Sequence, residues 1–332
     1  MGEFTKISWT DHTFNPWIGC TRVSPGCVNC YAEILATSRL GVEWGPQASR
    51  KITALSTWGQ PRRWNRAAKR DGVRRRVFCA SLADVFEDKP ELTVPRERLF
   101  RMIEECDGLD WLLLTKRPDR MIELAKAAGW AGDWPQHVWA GTTVEDQKRA
   151  DERLPELVNV PAHIRFVSYE PALEAVDFSR WLAVRSICSS CGAEHDGHVP
   201  GRCPSCGVDN LITVWGQEQA ERLRSGDRYD PTFDERRDDG PAIDWIIVGG
   251  ESGTKARRFD IAWAESTIEQ CRAGQIHCFV KQLGSRPTGE RWGRARQYDR
   301  PPNADVIVLN DSKGGDMSEW PAQLRVREVP ST

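Results

Sequence analysis

Seven short apolar runs recur along this chain of 332 residues, and most of them close on polar side chains. They are Ile7–Trp9, Arg76–Ala80, Trp111–Leu114, His137–Gly141, Ile164–Ser168, Asp244–Val248 and Ile276–Val280. Trp111-Leu112-Leu113-Leu114 is apolar without interruption, the pattern of a strand buried on both faces. Helical stretches fall between the runs, over residues 31–40 (with Ile34, Leu35 and Leu40 on the expected inner face), 95–106, from Pro118, up to about Leu157, and 262–271. Strands that alternate with helices argue for a parallel sheet with right-handed crossovers. The expected fold is therefore α/β, a partial (β/α)6-7 TIM-like barrel, short of the eight units that close a full one. Such folds place their chemistry where the strands end. Here those ends carry Asp84, Thr115, Lys116, Thr142, Ser168, Glu170 and the run Gly249-Gly250-Glu251-Ser252.

Composition narrows the setting. Hydrophobic residues at 39% and charged residues at 28% suit a globular chain. No apolar run approaches the ~20 residues needed to cross a bilayer. Met1 to Lys6 lacks the apolar core of a signal peptide, so the expected location is cytoplasmic, with no membrane partner. In that reducing compartment clustered cysteines read as metal ligands rather than disulfides. Of eleven cysteines, three form one tight group and four another.

The first group is Cys20, Cys27 and Cys30, a Cys-x6-Cys-x2-Cys pattern in a Gly/Pro loop between the first apolar run and the first helix. A zinc site normally takes four protein ligands, and no fourth cysteine or histidine lies close by. A 4Fe–4S cluster held by three thiolates keeps one iron free of protein ligands. The loop resembles the cluster loop of the radical S-adenosylmethionine superfamily, although six residues rather than three separate its first two cysteines and Asn29 precedes the third. Trp9-Thr10-Asp11, Asn15-Pro16-Trp17, Tyr31-Ala32-Glu33, Leu114 to Pro118, Glu170-Pro171 and Gly249 to Gly253 extend the likeness. Together they are similar to a phage-associated family of three-Cys-motif proteins whose reaction is not established. The resemblance implies a radical enzyme in which S-adenosylmethionine yields a 5′-deoxyadenosyl radical, an electron donor such as flavodoxin or ferredoxin, and a phage or prophage context. The competing reading of the same loop is a structural metal knuckle without catalysis.

The second group, Cys188-x2-Cys191 and Cys203-x2-Cys206, interrupts the alternation. Two Cys-x-x-Cys knuckles with Gly192 and Gly207 complete a tetrahedron of thiolates, as in a zinc ribbon, and such a closed site is structural. An auxiliary iron–sulfur cluster is the alternative. The expected organisation is barrel over 1–183, an inserted zinc-ribbon-like segment with a charged loop over 184–240, the last strands over 241–283, and a covering segment over 284–332.

The candidate cofactor-binding residues are Gly249, Gly250, Glu251, Ser252, Thr115, Lys116, Ser168 and Glu170. Backbone amides of the Gly-Gly run could approach the cofactor where a side chain would block it. Cys79 and Cys278 are weak catalytic candidates, hydrogen-atom donors if they face the barrel interior. From Arg62 to Arg76 eight basic residues accompany one acid, next to Trp58 and Trp64, a composition that suits a phosphate backbone with stackable bases as well as a solvated helix face. The expected function is a radical S-adenosylmethionine enzyme that modifies or repairs nucleic acid or a nucleotide. The alternative is a non-catalytic zinc-dependent nucleic-acid or protein binder.

Overall fold

The computed structural model describes residues 5–132, 134–182, 184–188, 190–191, 193–196, 203, 205–208, 211–215, 243–289 and 307–331. Its centre is a seven-stranded sheet of β1 (His12–Thr13), β2 (Arg75–Cys79), β3 (Leu109–Thr115), β4 (Val138–Thr143), β5 (Ile164–Tyr169), β6 (Trp245–Gly249) and β7 (His277–Gln282). The strands lie side by side in chain order, and every pairing is parallel. The sheet curls into a half-barrel, so the expected α/β class and parallel partial barrel are what the chain forms. Helices α1 (Tyr31–Arg39), α2 (Gln60–Asp71), α3 (Thr93–Glu105), α4 (Met121–Ala127), α5 (Gln147–Val158) and α6 (Ile261–Ala273) supply the crossovers.

Alternation along the strands separates two apolar layers. Val77, Cys79, Trp111, Leu113, Val138, Ala140, Val167, Ile246, Val248, Cys278 and Val280 pack with helix residues such as Leu99, Leu154 and Ile268. The opposite parity, Phe78, Leu112, Trp139, Phe166, Trp245, Ile247 and Phe279, fills the concave side together with Trp9. Trp245 is the hub of that side, with the rings of Trp9, Trp139, Phe166 and Phe279 all about it at centroid distances of 5.9–6.3 Å. Gly141 belongs to this face because a Cβ there would lie 2.3 Å from the Phe166 ring.

Two sequence expectations need correction. Ile7–Trp9 is not the first strand; Trp9 leaves the sheet and is buried among the aromatic rings, while His12–Thr13 pairs with β2. A tryptophan buries more apolar surface inside the curl than it could at a sheet edge. In α1 the buried side chains are Ala32 and Ala36, whereas Ile34 and Leu40 are exposed. Small residues let this helix approach Ile18, Val42 and Leu82 closely.

Residues 307–331 run back to the sheet and meet it at β7. Val280 N–H donates to Val326 O (2.8 Å), Glu328 N–H to Cys278 O (2.9 Å), and the Trp245 indole to Glu328 O (2.9 Å), which occupies the outer edge of β7. Trp320 is buried and donates its indole N–H to Gly314 O at 3.1 Å. Strands Val184–Cys188, Glu194–Asp196 and Leu211–Trp215 form a separate antiparallel ribbon with the first in the middle. The charged stretch from Arg222 to Asp239 lies outside the described residues, as does Gly192. No helix among the described residues is long and apolar enough to cross a membrane.

Candidate functional site

The three-cysteine loop lies over the C-terminal ends of the strands. Gly19 opens it in a left-handed conformation (φ 120°), and a Cβ there would stand 2.9 Å from the Arg50 side chain. Pro25–Cys27 makes one tight turn, closed by Cys27 N–H to Ser24 O at 2.9 Å, and Cys30 sits at the N-cap of α1. All three cysteines are half-buried and free of disulfides.

Residues just past four different strands hold this loop. Past β2, Ser81 O accepts from Tyr31 Oη at 2.9 Å. Past β3, Arg117 Nη2 donates to Thr21 O at 2.9 Å. Past β4, the fully buried Glu145 accepts from Ser24 Oγ at 2.5 Å and from Arg153 Nη1 at 2.9 Å. Past β6, Glu251 accepts from Asn29 Nδ2 at 3.1 Å, and Arg257 Nη1 donates to Pro25 O at 2.9 Å. Four strand ends thus converge on a single loop whose backbone has little regular pairing of its own. Asn29 is one of the clasping residues.

A buried charge network stands behind Cys20. Asp84 accepts from Thr115 Oγ1 (2.7 Å), Lys116 N–H (3.2 Å) and Arg117 Nη1 (2.7 Å). Glu87 is gripped by both forks of Arg50 at 2.7 Å, and Arg50 also donates to Thr21 Oγ1 at 2.8 Å. Arg117 Nη1 lies 3.8 Å from Cys20 Sγ. Burial, then the Asp84 carboxylate, push the Cys20 thiol up to about 12, against the opposing pull of Arg117. A cleft of 760 Å³ opens beside the loop, bounded by Thr21, Val23, Glu87, Lys116, Arg117 and Arg153 among others.

The candidate cofactor residues divide into two sets. Lys116, Ser168 and Glu170 belong to the concave parity at the strand ends, where Lys116 Nζ donates to Thr143 Oγ1 (3.3 Å) and Glu170 pairs with Lys281 (2.5 Å). Thr115 instead faces Asp84, and Thr142 donates to Thr115 O at 3.0 Å. The Gly-Gly backbone is engaged by its neighbours: Gly250 N–H donates to Gln282 O at 3.1 Å, and its carbonyl accepts from the Gln282 side chain at 2.8 Å. A Cβ on Gly250 would meet Leu283 O at 2.6 Å, so close packing against β7 accounts for the glycine. Glu251 is ion-paired with Arg257, whose hydrogen bonds overcome the effect of burial and hold the carboxyl below the usual carboxylate range. Ser252 is exposed.

Other expectations meet plain geometry. Cys79 and Cys278 lie on the helix-covered side, Cys278 against the thiol of Cys271, so neither faces the barrel interior. Trp58 and Trp64 are buried and offer no face to a base. Arg62 pairs with Glu105 (2.5 Å), Lys69 with Asp107 (2.5 Å), Arg74 with Asp110 (2.8 Å) and Arg75 with Asp71 (3.2 Å). These four of the eight basic residues are thus ion-paired, three of them with acids outside α2.

Cys188, Cys191, Cys203 and Cys206 have Sγ atoms all within 4.8 Å of one another, a group that could hold a metal ion. Cys188 N–H donates to Ala193 O and Cys203 N–H to Val208 O, both at 3.0 Å, so two similar turns present the thiols. Cys188 and Cys203 are buried, whereas Cys191 and Cys206 are exposed.

Residues 4–309 match the family described as "Protein of unknown function (DUF5131)". The chain belongs to this family. No curated protein and no solved structure matches it. In this DUF5131 chain the matched span takes in the whole half-barrel, the three-cysteine loop and the four-cysteine ribbon.

Proposed function

We propose that the chain is a radical S-adenosylmethionine enzyme whose 4Fe–4S cluster is ligated by Cys20, Cys27 and Cys30. The observation that carries this reading is the clamping of a free three-cysteine loop, between the first strand and first helix, onto four strand ends of a parallel half-barrel. The donor set fits an anionic cluster. The three cysteines form no disulfide, they do not form the tight group expected for a single ion, and a guanidinium faces Cys20. A cluster bound there supplies one electron for reductive cleavage of S-adenosylmethionine. The chain's own residues position the loop through Ser24–Glu145 and Asn29–Glu251, and place Lys116, Ser168 and Glu170 along the concave rim for polar groups of cofactor or substrate.

The ribbon is assigned structural zinc. Four thiolates about 2.3 Å from one ion stand about 3.8 Å apart in a tetrahedron. The contacts of 3.5 Å (Cys188–Cys206) and 3.8 Å (Cys191–Cys203), in a group whose sulfurs all lie within 4.8 Å of one another, support a single ion over thiolates on separate irons of a cluster.

The test is anaerobic reconstitution followed by incubation with S-adenosylmethionine and dithionite. 5′-Deoxyadenosine should form with the native protein and be absent with Cys27→Ala. A native protein that contains zinc but neither iron nor acid-labile sulfide sinks the reading and leaves a metal-dependent binding protein.

A further inference from the structure

We propose that Arg117 tunes and positions the iron–sulfur group, its guanidinium acting on the Cys20 sulfur and held in place by Asp84. This rests on the cluster assignment above.

One planar guanidinium makes three different contacts. Nη1 lies 2.7 Å from Asp84 Oδ2 and 3.8 Å from Cys20 Sγ, while Nη2 donates to Thr21 O at 2.9 Å. The side chain therefore ties the first cysteine to the end of β2 and to its own position past β3. Lysine carries the same charge, but its point-like ammonium lacks the fork that serves a carbonyl, a carboxylate and a sulfur together.

The surroundings keep that cation in place. Arg117 and Asp84 side chains are 13% and 7% exposed, and Glu87 lies 3.7 Å from Arg117. Glu87 is itself fixed by the fully buried Arg50, which reaches Thr21 Oγ1 and the Ala48 carbonyl. Buried ion networks of this kind are weak sources of stability, since well-packed apolar side chains often do as well. Their presence directly behind one cysteine points to an electrostatic task.

That task follows from the charge of the group. Each electron added to a thiolate-bound cluster adds negative charge, so a cation and an N–H donor at a ligand sulfur stabilise the reduced form. Cys27 has the Ser24 hydroxyl 3.9 Å from its sulfur, whereas Cys20 has the Arg117 guanidinium. Arg117 therefore favours reduction, and Asp84, which shares the same Nη1, offsets part of that effect.

The experiment is a redox titration followed by electron paramagnetic resonance on reconstituted full-length protein, with iron and sulfide counted first. Compared with the native midpoint, Arg117→Gln should shift lower, Arg117→Lys should recover only part of the loss, and Asp84→Asn, whose amide oxygen can still accept from Nη1, should shift higher. A fully iron-loaded Arg117→Gln with an unmoved midpoint overturns this inference alone. Where Arg117→Gln gives no folded protein, Asp84→Asn decides, and an unmoved or lowered midpoint overturns it. Native protein that takes up no iron overturns both this inference and the assignment beneath it.

Discussion

Gly26 shows how tightly single residues fix the cysteine loop. A Cβ there would lie 2.4 Å from Glu145 Oε1, and Glu145 cannot retreat because Arg153 holds its other oxygen. Gly26→Ala should therefore cost about 1–3 kcal/mol, the usual range for overpacking, measurable as a lower urea midpoint. It should also reduce iron uptake on reconstitution, whereas Gly132→Ala, with open space around its Cβ and no left-handed backbone, should leave iron uptake unchanged. Glu251 carries a pH signature. Its carboxyl titrates lower in the fold than in the unfolded chain, so its stabilising contribution is full above the ordinary carboxylate value of about 4.3 and fades as pH falls through the lowered one. Thermal midpoints of native and Glu251→Gln proteins should differ by a constant amount above about pH 5 and converge in acid. A difference that persists unchanged as the pH is lowered until the protein unfolds would show that Glu251 acts through packing rather than charge.

At the scale of elements, the apolar runs from Arg76 onward were legible because a strand covered on both faces must be apolar throughout, as Trp111–Leu114 is. The cysteine loop was legible from spacing, and its site at the strand ends from the order of elements. The failures have a common cause, which is that partners distant in sequence decide them. Nothing near Trp9 announces that Trp245 and Phe279 will surround it. The basic stretch from Arg62 looked free because its partners Glu105, Asp107 and Asp110 belong to α3, the turn after it and β3. Arg50 and Glu87 were invisible for the same reason, since no local pattern joins them to Cys20. The aromatic cluster yields a direct prediction. Trp245→Ala removes the ring on which four others pack and should cost about 3–5 kcal/mol, read by chemical denaturation. A cost below about 1 kcal/mol would mean that the concave side is not a packed core.

For the whole molecule, the proposed function assigns the two cysteine groups two different metals. Native protein purified aerobically should retain about one zinc ion per chain at the ribbon. Cys206→Ser should lower that content, because the exposed knuckle thiols are half of the tetrahedron, and should leave iron uptake by Cys20, Cys27 and Cys30 intact. Equal loss of both metals would show that the two sites are not separate. The burial of Trp9 has a consequence for the order in which the chain is made. This ring emerges early from a ribosome, yet its partners Trp245 and Phe279 come more than two hundred residues later. The concave core cannot close until nearly the whole sheet has been synthesised, so nascent chains expose apolar strand faces for most of translation. A truncated product that lacks β6 and β7 should be a chaperone client and a protease substrate rather than a smaller folded domain.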